Sequence, residues 1–273
     1  MAVIKALRTV PTALARNPIL VVIFGLFGLV QAPQLLAQQV SPLASLAISG
    51  VLLLVYAFGV PFVQAGTIGM VDEALRGQTT LGTFLNAGKT YYVSLLGAYL
   101  LVLGVNFVFA LVVGVAVFAG VISVGAGGSG SGLLVAGGIA LVVGLVYLVF
   151  AFFIQFYGQE IVLNNAGAIA SLKQSAGLVR ANFLSSLAYL VVAIVAVGIL
   201  GVVFGVASTL LLPTPTATTM GTTPSLSAAS LVGYVVVSTL GTALFGSVMA
   251  VFSVAFYREL RGQSARADSM ASA

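Results

Sequence analysis

The chain has 273 residues, of which 60% are hydrophobic and only 5% are charged. A soluble domain carries about a quarter charged residues, so most of the surface of this chain must face lipid. The chain contains no Cys and no His, which excludes disulfides, thiol nucleophiles, Cys/His metal sites and imidazole acid–base catalysis. We therefore expect no catalytic residues, no cofactor and no metal. The net charge is +5, but the cations are dispersed between apolar runs, so no nucleic-acid partner is expected.

Apolar runs long enough to cross roughly 30 Å of hydrocarbon occur six times along the chain. They cover residues 18–36, 43–70, 91–124, 133–156, 183–212 and 229–256. We predict an all-α polytopic membrane bundle of six transmembrane helices, forming a single domain over residues 1–257. Residues 258–273 are polar, and we expect a short disordered cytoplasmic tail there. The first run should stay uncleaved, because Pro33 directly follows the nearest pattern for signal-peptide cleavage.

The Lys and Arg residues orient the six runs. They fall before the first run, after the last, and in the connections from the second run to the third and from the fourth to the fifth. The other connections, around residues 36–41, 125–132 and 213–227, contain no charged residue. By the positive-inside rule, the charged side and both chain ends lie in the cytoplasm.

Each cytoplasmic segment before a pair of runs carries apolar residues at helical spacing, followed by a cation. The apolar sets are Ile4, Leu7, Val10 and Leu14; Leu81, Phe84, Leu85 and Gly88; and Ile169, Leu172, Ala176 and Val179. This spacing predicts three short interfacial amphipathic helices on the cytoplasmic side, each leading into a transmembrane hairpin. They either lie along the inner leaflet beside anionic headgroups, or form a docking surface for a partner or a lipid.

Few polar residues fall within or beside the apolar runs. Glu160 lies at the inner end of the fourth run, where a carboxylate needs a partner or a water-filled cavity. Lys173 and Arg180 are the nearest cations in sequence. Asn106 lies deep in the third run and Gln64 in the cytoplasmic half of the second, where interhelical hydrogen bonding is the usual role of amide side chains. These five residues form the candidate polar or ion-pair site.

Two further patterns have structural explanations. Asp72 and Glu73 follow the second run, and Arg76 lies one helical turn further on, a spacing typical of a solvated ion pair. Gly201 and Gly205 form a GxxxG pair, which favours close approach between membrane helices.

One region resembles a known type of sequence. Residues 155–165, 170–175 and 178–182 are similar to a cytoplasmic segment of several prokaryotic multi-pass proteins. These include haloarchaeal membrane proteins of unknown function and the membrane domain attached to some glycerophosphodiester phosphodiesterases. In those enzymes a separate soluble barrel domain carries out the hydrolysis. The resemblance therefore implies a membrane module in a prokaryotic plasma membrane, and no activity.

The leading hypothesis is a non-enzymatic integral membrane module: a scaffold, or a protein that organises lipid or a partner. Its expected partners are the lipid bilayer and either another membrane protein or a second copy of the chain, as a homo-oligomer. The alternative is a small transporter or channel subunit, with a polar path through Glu160, Asn106 and Gln64.

Overall fold

The computed structural model describes residues 2–30, 42–125, 130–211 and 228–271. In this part of the chain every regular element is an α-helix and there is no strand, which confirms the all-α prediction. The helices are α1 (Ala2–Arg16), α2 (Ile19–Leu29), α3 (Pro42–Ala74), α4 (Leu81–Gly125), α5 (Ser131–Ile154), α6 (Tyr157–Asn164), α7 (Ala168–Ala181), α8 (Phe183–Leu211) and α9 (Ala228–Ala271). The three predicted uncharged connections lie largely outside the described residues.

Five of the described helical segments are long and apolar enough to cross a membrane, as expected of a multi-pass membrane protein. They are Leu46–Ala74, Leu81–Gly125, Ser131–Asn164, Phe183–Leu210 and Val232–Ser264. The region of the first predicted span, 18–36, is different. Its described part, α2, has 11 residues and rises only about 16 Å. Taken together, α1 and α2 are also long and apolar enough to cross a membrane, but the pair is bent by 89°. Residues 31–36 lie outside the described part.

The bend between α1 and α2 has a local cause. Pro18 follows Asn17 and has no backbone N–H, so it cannot continue the hydrogen-bond ladder of α1. The carbonyl of Asn17 instead accepts a bond from the amide of Leu20 at 3.1 Å, which begins α2. The two helices therefore meet almost at a right angle.

The second predicted interfacial helix is not a separate element. Residues 81–88 are the first turns of α4, which continues unbroken for 45 residues and rises about 67 Å. No proline interrupts this stretch. Its first turns also pack tightly on α3, because a Cβ at Gly69 would lie 2.5 Å from the Cβ of Ala87 and one at Gly66 would meet the ring of Phe84.

The chain divides into two compact units, and the boundary falls inside α4 and just before α8. The first unit comprises Met1–Thr90 and Asn182–Ala273, and the second comprises Tyr91–Ala181. In the first unit α9 contacts α1, α2, α3 and α8. Gly28 makes close approach possible there, since a Cβ at that position would lie 2.8 Å from the backbone of Thr239. The helix α9 continues to Ala271, through most of the residues predicted as a disordered tail.

The core of the first unit lies at the end of the helices that carries the charged residues. The ring of Tyr189 on α8 stacks on Phe252 and Phe256 of α9, with centroids 5.1 and 4.8 Å apart. Met70 and Val71 of α3 are fully buried. Further from this end, large side chains of α3 and α8 are exposed, which is what lipid-facing helices require.

In the second unit, α4 and α5 pack along one another. The ring of Phe109 meets that of Tyr147 edge-on at 5.4 Å. A Cβ at Gly120 would lie 3.0 Å from both the Cβ of Ala136 and the carbonyl of Gly132. The short helix α7 packs on α5 and α6.

Candidate functional site

Asp72 lies at the centre of the charge pairs in the first unit. Its carboxylate pairs with Arg76, one turn along α3, and with Arg258 of α9. The guanidinium of Arg258 also donates to the main-chain carbonyl of Asp72 at 3.1 Å. The spacing of Asp72 and Arg76 predicted the first pair. No sequence pattern indicated the second, because Arg258 is 186 residues away.

The connection from α3 to α4 is fixed by side chains at both ends. Glu73 accepts hydrogen bonds from the hydroxyls of Thr79, at 2.8 Å, and Thr83. Asn17, which is 2% exposed, donates to the carbonyl of Gly77 at 3.0 Å and accepts from the amide of Thr79 at 2.8 Å. The end of α1 is thereby attached to the end of α3.

The helix α1 has three different faces. Its buried face consists of Ala2, Ala6, Val10 and Ala13, which pack into the first unit. An apolar face about 120° further round the helix exposes Ile4 by 47% and Leu7 by 40%. The remaining face is polar and carries Lys5, Thr9, Thr12 and two arginines, Arg8 and Arg16. Of the four residues predicted to mark the amphipathic face, two are therefore exposed, Leu14 is partly buried and Val10 is buried.

In the second unit, the helix that begins with α5 is interrupted at Gln155 and Phe156 before α6 continues. Ser175 of α7 lies against this break and is fully buried. Its hydroxyl accepts a hydrogen bond from the amide of Phe156 at 3.1 Å and donates one to the carbonyl of Phe153 at 2.9 Å. The hydroxyl of Ser175 thus forms hydrogen bonds with two backbone groups at the interruption. In lipid, such backbone groups would be costly to leave without a partner.

Glu160 lies on α6, directly after this break, and is 0% exposed. The side-chain amide of Asn164, one turn further along, donates to its carboxylate at 2.9 Å. The helix then ends at Asn165, which has a left-handed backbone with φ of 52°. The amide of Ala166 closes the end by donating to the carbonyl of Glu160 at 3.2 Å. Asn164 and Asn165 belong to the segment 155–165 that resembles prokaryotic membrane proteins. Neither residue was predicted from the sequence to contact Glu160.

The other predicted site residues are dispersed. Lys173 and Arg180 are both exposed on α7, and the guanidinium of Arg180 lies 5.5 Å from the centroid of the Phe153 ring. Asn106 lies on α4 in the same unit, and its Oδ1 is buried with no hydrogen-bond partner among the described residues. Gln64 is partly buried on α3, in the other unit. A polar path that joins Gln64, Asn106 and Glu160 stays a prediction.

One polar group was missed as a candidate. Gln155, in the break itself, has its side-chain nitrogen buried without a hydrogen-bond partner among the described residues. Its position five residues before Glu160 in the sequence was the available signal. Within the described part of the chain, no three His, Cys, Asp or Glu side chains come together in a group that could hold a metal ion.

Comparison with known proteins assigns the chain to a family. A family model described as a domain of unknown function (DUF7847) matches residues 1–260. The chain belongs to the DUF7847 family. The match includes α1 to α8 and most of α9, so both units are part of the DUF7847 domain. No curated protein and no solved structure matches the chain.

Proposed function

We propose that this DUF7847 protein is a non-enzymatic membrane module with six transmembrane helices and both ends in the cytoplasm, which organises lipid or a partner protein at the inner leaflet. The observation that carries the proposal is the three-faced helix α1. It packs alanines on the protein, exposes Ile4 and Leu7, and presents cations on its third face.

The geometry of α1 favours a position in the plane of the membrane surface. Its axis makes an angle of 89° with that of α2. If α2 begins the first predicted transmembrane span, α1 runs parallel to the membrane. The exposed Ile4 and Leu7 can then enter the boundary between headgroups and acyl chains, while Arg8 and Arg16 stay among the headgroups.

The helix α7 supports the same reading. It buries Ser171 and Ser175, exposes Ile169 by 62% and carries Lys173 and Arg180 on its polar face. Apolar and cationic groups side by side on a short helix suit a membrane surface rich in anionic lipid. The charge distribution supports the cytoplasmic orientation, and the resemblance of residues 155–182 to prokaryotic proteins supports a prokaryotic plasma membrane.

The placement of α1 can be tested with single cysteines, because the chain has none of its own. Nitroxide labels at Leu7→Cys and Thr12→Cys would report two faces of one helix in proteoliposomes. We expect the label at position 7 to collide mainly with oxygen, which concentrates in lipid, and the label at position 12 mainly with a water-soluble nickel chelate. Equal accessibility at the two positions would place α1 away from the membrane surface and contradict the proposal.

Orientation needs a separate measurement. An impermeant maleimide applied to intact cells should label Gly130→Cys, at the start of α5, and leave Lys89→Cys, in the early turns of α4, unlabelled. In inverted vesicles the result should reverse. Labelling of Lys89→Cys from outside intact cells would overturn the cytoplasmic assignment of the charged side.

Transport is a second candidate, and the burial of Glu160 is the observation that favours it. A carboxylate in an apolar helix is often part of an ion or proton pathway. Flux into proteoliposomes under a proton gradient should be compared between the native chain, Glu160→Gln and the control Glu259→Gln, whose carboxylate pairs with Lys5 at 3.6 Å. Flux that only Glu160→Gln abolishes would replace the module proposal with a transporter, and no flux from any of them would favour the module.

A further inference from the structure

We infer that the polar face of α1 binds the phosphate of an anionic membrane lipid, through Arg8, Thr12 and Arg16. This inference rests on the proposed function, because it specifies which lipid chemistry the surface helix recognises. It concerns the first unit alone.

The three residues form one stripe. They are spaced four residues apart, so their side chains project from the same side of α1, one turn above another. All three are exposed. The two arginines are about 12 Å apart along the helix axis, a separation that two long side chains can bridge by converging over Thr12. Guanidinium groups suit this role, since their planar N–H groups match the oxygens of a phosphate.

A groove lies beside the stripe. It has a volume of about 270 Å³ and is lined by Arg8, Thr12 and Arg16 together with Leu75 at the end of α3. No carboxylate is among its lining residues. Within the described part of the chain, neither arginine forms a salt bridge, since Asp72 and Glu259 pair with other cations. Two positive charges therefore face this groove without a protein counter-charge.

A neighbouring groove nearer the start of α1, which shares Thr9 and Leu75 with the first, shows the contrast. It is lined by Lys5 and Arg258, but also by Glu259. Glu259 pairs with Lys5 at 3.6 Å, and Arg258 is engaged by Asp72. Both cations of this groove therefore have a carboxylate partner, whereas Arg8 and Arg16 have none among the described residues.

The hydroxyl groups of the stripe also differ. The hydroxyl of Thr9 donates to the carbonyl of Ala6 at 2.8 Å, so its proton is already used. Thr12 has no such bond to another described residue and can donate to a phosphate oxygen. Carbonyls at the ends of helices would repel an anion. Here the side-chain amide of Asn17 covers those of Ala74 and Gly77, at 3.5 and 3.0 Å.

The apolar neighbours of the stripe favour a lipid over a free phosphate ion. Ile4 and Leu7 are exposed on the adjoining face of the same helix. A lipid whose phosphate sits between the arginines can lay its acyl chains against this face. A soluble anion would gain only the polar contacts.

The test uses the full chain in detergent and native mass spectrometry to measure the apparent Kd for phosphatidylglycerol and for phosphatidylcholine. We expect tighter binding of phosphatidylglycerol, which carries a net negative charge. Each arginine near anionic lipid contributes about fivefold in affinity, so Arg8→Gln/Arg16→Gln should weaken phosphatidylglycerol binding about thirtyfold. Thr12→Val should weaken it about threefold through the lost hydrogen bond.

The matched control is Lys89→Gln, an exposed cation in the first unit that lies outside the groove. Arg16→Gln should weaken binding about fivefold, and Lys89→Gln should leave it unchanged within about twofold. Equal losses in these two variants would show general surface charge and overturn the inference. Complete displacement of phosphatidylglycerol by millimolar inorganic phosphate would overturn the assignment to a lipid.

This measurement does not depend on where α1 lies in a bilayer, because the protein is in detergent. The nitroxide experiment does not depend on lipid charge. If binding shows no preference for phosphatidylglycerol while the nitroxide labels show the expected accessibilities, the lipid site alone is refuted. If phosphatidylglycerol is preferred but the two labels are equally accessible, the surface position of α1 is refuted.

Discussion

The helices α1 and α7 follow one plan and differ in what they bury. Both are short, carry exposed apolar residues beside cations, and are followed within two residues by an apolar helix. The buried face of α1 is made mainly of alanine, whereas α7 buries Ser171 and Ser175 together with Leu178 and Val179. The surface beneath α7 includes an interrupted helix, and backbone groups at the break bond to the hydroxyl of Ser175. The two helices therefore share the same kind of exposed surface, while their buried residues differ according to the backbone on which each helix packs.

The largest expected effect is at Ser175. Replacing it with Ala would leave the amide of Phe156 and the carbonyl of Phe153 without their partner in a buried site. Each such group costs about 1–3 kcal/mol, so we expect the free energy of unfolding to fall by about 2–4 kcal/mol in a detergent unfolding titration.

Ser171 provides the control on the same face. Its hydroxyl donates to the carbonyl of Ala168 within its own helix, at 2.8 Å. The loss from Ser171→Ala should therefore be below about 1 kcal/mol. If the two serine variants were equally stable, the hydrogen bonds of Ser175 at the break would contribute nothing to stability. The proposed difference between the buried faces of α7 and α1 would then be contradicted.

The next largest difference in stability is expected at the asparagines that follow α1 and α7 in the chain. Asn17→Ala removes the partners of the Thr79 amide and the Gly77 carbonyl, and should lower the free energy of unfolding by about 2 kcal/mol. Asn182 donates to the hydroxyl of Ser264 at 3.0 Å, from a partly buried position. Asn182→Ala should cost about 1 kcal/mol. A larger loss at Asn182, measured by the same titration, would contradict the stronger attachment of α1.

Packing under α1 should tolerate little extra volume. Ala6 is 1% exposed, so Ala6→Leu should cost about 1–3 kcal/mol through overpacking. Ala15 is exposed on the same helix, and Ala15→Leu should be neutral within about 0.5 kcal/mol. Thermal unfolding in detergent would compare the two, and equal values would show that the alanine face is not the packed one.

The smallest expected difference concerns the cations. Arg180 lies over the ring of Phe153, so Arg180→Gln should lower stability by about 0.5–1 kcal/mol. Arg8 is exposed and, among the described residues, has no carboxylate partner. Arg8→Gln should therefore leave the thermal midpoint unchanged while it weakens lipid binding. A drop in the midpoint would assign Arg8 a structural role instead.

Much of the fold was predictable because lipid imposes simple rules on composition. Apolar length located the long helices, and 3.6-residue spacing located α1 and α7. The same spacing did not indicate which face of α1 packs on the protein. In water, large apolar residues mark the buried side. At a membrane they are equally stable against lipid, so small residues such as Ala6 and Ala13 mark the protein contact.

Other features had no local signal. The pair of Asp72 and Arg258 and the contact of Ser175 with the break depend on tertiary structure, since they join distant positions. The GxxxG pattern at Gly201 and Gly205 predicted close approach of another helix. A Cβ at either residue meets no described atom within 4 Å, so no described helix approaches closely there. Close approach occurs instead at glycines such as Gly28 and Gly69, neither of which belongs to a GxxxG pair.

The break between α5 and α6 has a consequence for the order in which the protein is made. Ser175 follows Phe156 by 19 residues in the chain, so the ribosome synthesises the interrupted helix before the serine that bonds to it. Until α7 has emerged and docked, the amide of Phe156 and the carbonyl of Phe153 must be solvated by water or headgroups. We therefore expect the end of α5 at the break to reach its final position only after α7 has docked, which would make docking of α7 a late step in membrane insertion.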